Sequence, residues 1–244
     1  MPTRSPIASM LIKAAKQLRD EVNLLTFGDP VTHVYNPLDY AWDAHQTYLA
    51  TFGGSEKRVV FLGMNPGPWG MAQIGVPFGE IELVRDWIGI NTKIGKPPNE
   101  HPKRPIEGFA CQRSEVSGRR LWGLFKERFA TPRKFFADHL VLNYCPLVFM
   151  EESGRNHTPN KLPAAERKLL NEACDRHLKA VLRALNPEWA IGVGKYAQGC
   201  LEQVAPDGLQ IGTILHPSPA SPAANRDWVG TVSKQLLDMG IWKK

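Results

Sequence analysis

The feature that most constrains the fold of this chain is an alternation of short apolar runs with longer amphipathic segments. Four runs have the length and composition of buried strands, at residues 59–62, 140–144, 189–194 and 211–215. Helical spacing of apolar residues predicts helices at 6–25, 114–129, 164–185, 195–204 and 225–239. Strands that alternate with helices favour a parallel sheet covered on both faces. The sequence therefore predicts an α/β fold: a three-layer α/β/α sandwich with a four-stranded, mostly parallel central sheet.

Chain length and composition indicate how many domains this fold occupies. The chain has 244 residues, of which 43% are hydrophobic and 22% charged. This balance is typical of a folded globular protein, and the length still allows a single hydrophobic core. No internal repeat or low-complexity tract divides the chain. We therefore expect one domain over residues 1–244.

Three polar residues follow, or lie at the end of, predicted strands. Asn65 follows the first strand, Asn143 ends the second, and His216 follows the last. In open parallel sheets, ligands bind in the loops at the carboxyl ends of the strands. If the predicted topology holds, these three side chains converge on one edge of the sheet.

Asn65 and His216 both lie in segments that are rich in glycine or proline. Residues 63–79 contain five glycines and three prolines, which predicts a structured irregular loop whose backbone can approach a ligand. The segment lacks the spacing and the Lys-Ser/Thr ending of a nucleotide-binding P-loop, so an ATPase is disfavoured. His216 begins the segment HPSPASP, whose prolines stiffen the backbone around it. A histidine without this context is more often structural than catalytic.

Charge and cysteine spacing narrow the class of partner and cofactor. The formal net charge of +6 favours a polyanionic partner, of which nucleic acid is the commonest. Metal and iron-sulfur sites usually need closely spaced cysteine pairs, and this chain has no Cys-x-x-Cys motif. The cysteines are therefore interpreted as reduced, buried thiols, and we expect no metal and no organic cofactor. They are Cys111, Cys145, Cys174 and Cys200.

The amino-terminal sequence MPTRSPIASMLIKAAKQLRDE lacks the apolar core of a secretory signal, and no later run approaches the ~20 apolar residues of a membrane span. These observations predict a cytoplasmic protein without membrane attachment, associated with the nucleoid in a bacterium or located in the nucleus of a eukaryote. We expect a monomer with no obligate protein partner.

Two long segments then carry a specific resemblance. GMNPGPWGMAQIGVPFGE at 63–80 and HPSPASPAANRDW at 216–228 resemble the two signature motifs of single-strand-selective monofunctional uracil-DNA glycosylases. The likeness extends to 35–42, to 143–147 and to the chain from about Leu11 onward. It implies the uracil-DNA glycosylase fold and hydrolysis of the N-glycosidic bond of uracil, and of some modified uracils, in single- or double-stranded DNA. The product would be an abasic site in base-excision repair.

The resemblance also assigns roles to individual residues. The asparagine of the first motif, here Asn65, positions the attacking water, and the phenylalanine of VPFG, here Phe78, stacks on the flipped base. Asn143 matches the asparagine that hydrogen-bonds the pyrimidine edge, and His216 matches the histidine that faces the base oxygen O2. Backbone groups that line the same pocket would come from Met64, Pro66 and Gly67.

A loop from the second motif would fill the space that the flipped base leaves. Its members are Ser218, Pro219, Ala220, Ser221, Asn225 and Arg226. Vertebrate family members have a bulkier, basic residue where Ala220 stands. The small side chain predicts weaker invasion of duplex DNA and a preference for single strands or mispairs, whose bases cost less to flip.

Several alternatives remain open at this point. The main substrates could be deaminated purines, namely xanthine and hypoxanthine, or the protein could bind damaged DNA without catalysis. A third alternative is an enzyme that acts on free nucleosides or nucleotides. A further proline-rich segment, residues 95–105, is predicted as a solvated surface loop, with a DNA contact as the alternative.

Overall fold

A computed structural model describes residues 5–243; residues 1–4, at the start of the amino-terminal sequence considered above, and residue 244 lie outside the described residues. The α-helices are α1 (Pro6–Val22), α2 (Pro37–Tyr40), α3 (Trp42–Phe52), α4 (Met71–Ile74), α5 (Val116–Phe129), α6 (Pro132–Asp138), α7 (Ala164–Leu185), α8 (Lys195–Val204) and α9 (Pro222–Asp238). The strands are β1 (His33–Tyr35), β2 (Val59–Gly63), β3 (His139–Asn143), β4 (Val148–Met150), β5 (Asn156–His157), β6 (Trp189–Val193) and β7 (Gln210–Ile214).

The central sheet has four strands in the order β3-β2-β6-β7, and every neighbouring pair is parallel. All four are the strands that the apolar runs predict, with ends that differ by one residue. The side chains of β2 and β3 are buried throughout because helices cover both faces of the sheet. The predicted α/β fold with a four-stranded sheet is confirmed, and the sheet is wholly rather than mostly parallel.

The direction of the connections distributes the helices over the two faces. The chain moves one way along the sheet from β2 to β3 through α5 and α6, and the other way from β3 to β6 and β7 through α7 and α8. Because crossovers between parallel strands are right-handed, two connections that run in opposite directions along the sheet place their helices on opposite faces. Helix α1 packs against α7 on one face, and α9 contacts α5 on the other. These contacts give the predicted three layers.

The same reversal locates a crevice in the molecule. The chain leaves β2 toward β3 and leaves β6 toward β7, so their two loops diverge at the carboxyl ends of adjacent strands. Such a switch point is where open α/β sheets bind ligands. The loops after β2, β3 and β7 surround it, and they are the loops that contain the two motifs.

Several elements were not predicted from the sequence. Strands β1, β4 and β5 form a separate antiparallel sheet, and α2, α3, α4 and α6 have no counterpart among the predicted helices. Helix α4 is a single turn within the segment predicted as wholly irregular, and it ends at Gly75, whose φ is +70°. Most of these elements span only two to seven residues, too few for a periodic pattern to register.

The predicted boundaries of three helices also need correction. Helix α1 ends at Val22 rather than at residue 25, and α9 begins at Pro222 with an interruption at Asp227, where the backbone is not helical. Helix α5 begins after Glu115, whose side chain makes no capping hydrogen bond. The Ser114 hydroxyl instead donates to the Glu80 carboxylate at 3.0 Å.

The segment 95–105 is exposed over much of its length, but it is anchored rather than solvated throughout. His101 is buried, and the buried Gln73 amide donates to the carbonyl oxygens of Pro68 and Pro105 at 3.3 and 3.0 Å. The Gln73 carbonyl accepts from the backbone N–H of Glu107 at 2.8 Å. The expectation of a solvated loop is therefore wrong for part of this segment, because a buried glutamine ties it to the first motif.

None of the helices among residues 5–243 combines the length and the apolar character that a membrane span requires.

Candidate active site

A cavity of about 510 Å³ opens at the carboxyl ends of the central strands. This volume falls in the range of roughly 300–1,000 Å³ that is usual for small-molecule sites. The structure brings every predicted catalytic and base-binding residue to this cavity. Its lining residues are Met64, Asn65, Pro66, Gly67, Pro68, Met71, Phe78, Glu115, Ser117, Asn143, Asn156, Thr158, His216, Ser218 and Pro219.

The Asn65 amide is oriented by the backbone around it. Its Nδ2 donates to the carbonyl oxygen of Leu147 at 3.2 Å and lies 3.5 Å from that of Pro66. The two backbone acceptors fix which end of the amide is the donor. The other end, Oδ1, has no hydrogen-bond donor among the described residues. Asn65 therefore offers a neutral, oriented acceptor at the cavity wall, suited to holding a water molecule.

Asn143 is buried at the end of β3 with unsatisfied hydrogen-bonding capacity. Its Oδ1 has no partner among the described residues, and its Nδ2 lies 3.2 Å from the Met71 sulfur, which is only a weak acceptor. A buried polar group without a partner costs roughly 1–3 kcal/mol. A ligand edge that presents one donor beside one acceptor would satisfy both ends of this amide.

The ring of Phe78 stands against Asn143 because the residue beneath them is glycine. A Cβ on Gly63 would lie 2.3 Å from the Asn143 Oδ1 and 2.4 Å from the Phe78 ring. Phe78 itself has φ +52°, a strained conformation for a residue with a side chain. Gly118 of α5 packs so closely on the Phe78 carbonyl that a Cβ there would lie 2.1 Å from it. The two glycines therefore allow an aromatic ring and an amide to meet at one side of the cavity.

His216 lies near Phe78, with 6.4 Å between the ring centroids. The backbone N–H of Ser218 donates to the imidazole Nδ1 at 3.1 Å, which assigns Nδ1 as the acceptor. Burial lowers the pKa of His216 below its ordinary 6.5, so the ring is neutral at pH 7. In the neutral ring the proton must then be on Nε2, which makes this atom a hydrogen-bond donor.

The loop that follows His216 is only partly in the cavity. Ser218 and Pro219 line it, whereas the remaining predicted members of the loop are outside the lining: Ala220, Ser221, Asn225 and Arg226. The Ser221 hydroxyl accepts from the Ala224 N–H at 3.3 Å and caps α9, and the Asn225 amide donates to the Pro219 carbonyl at 2.8 Å. Ala220 and Arg226 are exposed. The loop is thus a structured rim beside the cavity mouth.

One residue that sequence reasoning missed fixes this loop. Arg120 of α5 donates through Nη1 to the carbonyl oxygens of Pro217 and Ser218 at 3.0 and 3.3 Å. Its Nη2 donates to the Asn225 Oδ1 at 2.9 Å. Arg120 thereby joins the first half of the chain to the loop that contains His216. Nothing in the local sequence distinguishes it from its neighbour Arg119.

Other cavity residues were also absent from the sequence prediction. The Glu115 carboxylate accepts from the Trp69 N–H at 3.3 Å, and burial raises the pKa of this carboxyl group. Asn156 on β5 presents a buried Oδ1 without a partner among the described residues, and Thr158 lies beside it on the lining. These residues reach the cavity from segments without a periodic pattern, so only the folded chain reveals them.

The cysteines are all buried and form no disulfide. Burial raises the pKa of Cys200 to about 12 and that of Cys174 well above its ordinary value, so both thiols stay protonated at neutral pH. In the part of the chain that the structure describes, no cluster of three or more histidine, cysteine or acidic side chains could hold a metal ion.

Comparison with known proteins gives consistent results. Residues 50–236 match the family model described as the uracil DNA glycosylase superfamily. The chain is 43% identical to the single-strand selective monofunctional uracil-DNA glycosylase of Rattus norvegicus, over 98% of this chain and 87% of that protein. It is 42% identical to the Bos taurus protein of the same name, over 98% and 89%.

A similarity to a solved structure extends to the whole fold. The crystal structure of SMUG2 from Pedobacter heparinus aligns with a TM-score of 0.64 over 93% of this chain and 97% of that one. The sequence identity is 16%, so this match concerns the fold alone. It agrees with the three-layer arrangement described above.

Proposed function

The chain belongs to the uracil-DNA glycosylase superfamily and, within it, to the single-strand selective monofunctional group, and from this membership we propose that it excises uracil from DNA. The resemblance seen in the two motifs is thereby confirmed. The reaction is hydrolysis of the N-glycosidic bond, which leaves an abasic site for base-excision repair. Some modified uracils are included in the proposed substrate range.

The observation that carries this proposal is the unsatisfied amide of Asn143. Uracil presents an N3–H donor beside the O4 acceptor, which matches the free Oδ1 and the weakly bound Nδ2 of this residue. Cytosine presents the opposite pattern at the corresponding atoms and would leave polar groups unpaired. The Phe78 ring supplies a stacking surface, which is worth roughly 1–3 kcal/mol for a flipped base.

His216 and Asn65 supply the groups that bond cleavage requires. The departing uracil ring takes up negative charge, and the Nε2–H of neutral His216 is the donor proposed to face O2. Removal of one such donor typically costs about 2.7–4 kcal/mol in the barrier. Asn65 cannot act as a strong base; its oriented Oδ1 instead holds the water that attacks the cationic sugar carbon.

The cavity also fits a monofunctional enzyme. A glycosylase that cuts the strand attacks the sugar with an amine, usually a lysine. Among the described residues that line the cavity there is no lysine. Water is therefore the nucleophile in this proposal, and the sugar-phosphate backbone stays intact.

The net charge of +6 supports DNA as the partner, and the exposed Ala220 supports a preference among DNA substrates. A methyl side chain fills little of the space vacated by a flipped base, so the protein should favour single strands or mispairs. We further propose that it acts as a one-domain monomer without an obligate protein partner, in the nucleoid of a bacterium or the nucleus of a eukaryote.

The test is release of uracil by three forms of the protein. We expect the wild type to convert a single-stranded, uracil-containing oligonucleotide to an alkali-labile product. His216→Leu should be slower by ~100- to 1000-fold because one anion-stabilising donor is lost, and Asn65→Ala should lose most of its activity, while both variants still bind DNA.

The outcomes separate the alternatives. Full activity in both variants would refute the assigned roles. DNA binding by the wild type without base release would indicate a non-catalytic damage-binding protein. Release from xanthine- or hypoxanthine-containing strands in preference to uracil would shift the main substrate to deaminated purines.

A further inference from the structure

Trp69, beside the cavity, carries two arginine side chains on its indole ring. The guanidinium carbon of Arg113 lies 4.4 Å from the ring centroid, and that of Arg104 lies 4.8 Å from it. Both distances are within the ~6 Å range of cation–π attraction. None of the three residues lines the cavity itself, but Trp69 follows Pro68 and its N–H contacts Glu115, both of which do, so this Arg104–Trp69–Arg113 cluster lies next to the cavity lining.

Backbone hydrogen bonds hold the cluster in place. The Arg104 Nε donates to the Gly154 carbonyl at 2.8 Å, and the Trp69 N–H donates to the Glu115 carboxylate at 3.3 Å. Gln73 anchors the chain on either side of the cluster through the carbonyls of Pro68 and Pro105. The Arg104 guanidinium group and the Trp69 ring are therefore positioned before any ligand arrives, and Arg113 lies on that ring.

Neither arginine of the cluster forms an ion pair within the described part of the chain, and the neighbouring Glu115 carboxylate is bound to the Trp69 N–H. Among residues 5–243, no carboxylate lies within 4 Å of the guanidinium nitrogens of Arg104 or Arg113. Arg113 is exposed and Arg104 is half-buried. Two guanidinium groups on one ring, neither with an ion-pair partner, both attract an anion that binds beside the ring.

We propose that the Arg104–Trp69–Arg113 cluster binds phosphates of the DNA strand that contains the target nucleotide. This inference rests on the proposed function, because the cluster would hold the DNA strand whose target base enters the same cavity. Guanidinium groups suit phosphate oxygens because they donate two parallel hydrogen bonds. The cluster is separate from the rim formed by Ser218–Arg226, with which it shares no hydrogen bond in the described part of the chain.

Phosphate contacts have a measurable signature in the salt dependence of binding. Each contact to single-stranded DNA contributes about 0.7 to the slope of log K against log salt concentration. We expect Arg113→Gln to reduce the slope by about 0.7, with about fourfold weaker binding near 150 mM salt. Arg104→Gln combined with Arg113→Gln should reduce it by about 1.4.

The experiment measures fluorescence anisotropy with a uracil-free single-stranded oligonucleotide across a salt series, so that no turnover occurs. Arg183→Gln is the matched control. It removes an exposed arginine from the end of α7 that leads into the amino end of β6, away from the cavity. Steady-state excision from a uracil-containing strand is measured in parallel, and Arg113→Gln should raise KM while kcat is retained.

The results distinguish this inference from the proposed function. A slope in Arg113→Gln equal to that of the wild type and of Arg183→Gln would overturn the phosphate contact. An equal loss of slope in Arg183→Gln would also overturn it, because the effect would then reflect net charge alone. If the wild type released no uracil but Arg113→Gln still reduced the slope, the contact would stand and the proposed function would fall.

Discussion

Replacement of Arg120 by methionine tests whether the loop that contains His216 depends on a contact from the opposite half of the sequence. The guanidinium group of Arg120 makes three hydrogen bonds, to the carbonyls of Pro217 and Ser218 and to the Asn225 side chain. Methionine keeps much of the length and helix propensity of arginine but has none of its donors.

The magnitude follows from these hydrogen bonds. A hydrogen bond to a charged donor contributes about 1.5–3 kcal/mol when it is well shielded, but Arg120 is half-buried, so ~1 kcal/mol for each is appropriate. The total of about 2–3 kcal/mol favours the ordered loop over open conformations. If excision requires the ordered loop, kcat/KM should fall by roughly 30- to 150-fold, since each ~1.4 kcal/mol corresponds to a factor of ten.

The assay is steady-state excision from a single-stranded uracil oligonucleotide, with Arg119→Met as the control. Arg119 is the preceding residue on the same helix; it is exposed, and its side chain forms no hydrogen bond within residues 5–243. Both variants lose one positive charge from α5. A kcat/KM of Arg120→Met within about twofold of that of Arg119→Met would show that the loop does not depend on the Arg120 contacts.

Two further predictions concern the cavity. The pKa of His216 lies below 6.5, and its neutral ring accepts a backbone N–H at Nδ1, so the rate of excision should stay constant from neutral pH to below pH 6.5. At lower pH the rate should decline, because protonation of Nδ1 would place its N–H against the N–H of Ser218. A pH–rate profile that rises on acidification would contradict this. Gly63→Ala should abolish excision because the added Cβ would collide with Asn143 and Phe78. The control Gly123→Ala adds a Cβ in open space and should leave excision unchanged. Equal activity of these two variants would show that the close contact at Gly63 is unimportant.

Much of the fold could be predicted because its central elements carry local patterns. The four strands of the central sheet are short apolar runs, and α7 and α8 have the predicted bounds because their apolar spacing is regular over whole turns. The antiparallel sheet of β1, β4 and β5 could not be predicted. Its strands are two or three residues long, and β1 pairs with β4 across more than a hundred residues of sequence.

The sequence by itself determined the residues at the strand ends. Asn65, Asn143 and His216 are adjacent to strong strand signals, and parallel strands bring their carboxyl ends together. Glycine and proline in the two motifs fixed the local backbone, as the close approach of Phe78 and Asn143 over Gly63 illustrates. A local pattern can specify these features because each depends on only a few neighbouring residues.

Only the tertiary structure decided how the cavity is held and extended. Arg120 reaches the His216 loop from nearly a hundred residues away, and Arg104 and Arg113 meet on Trp69 from separate segments. These contacts depend on how the helices and loops pack. The local sequence does not distinguish an arginine that hydrogen-bonds to a loop from one that faces solvent. The sequence specifies the chemistry of each side chain, whereas packing determines which side chains come into contact.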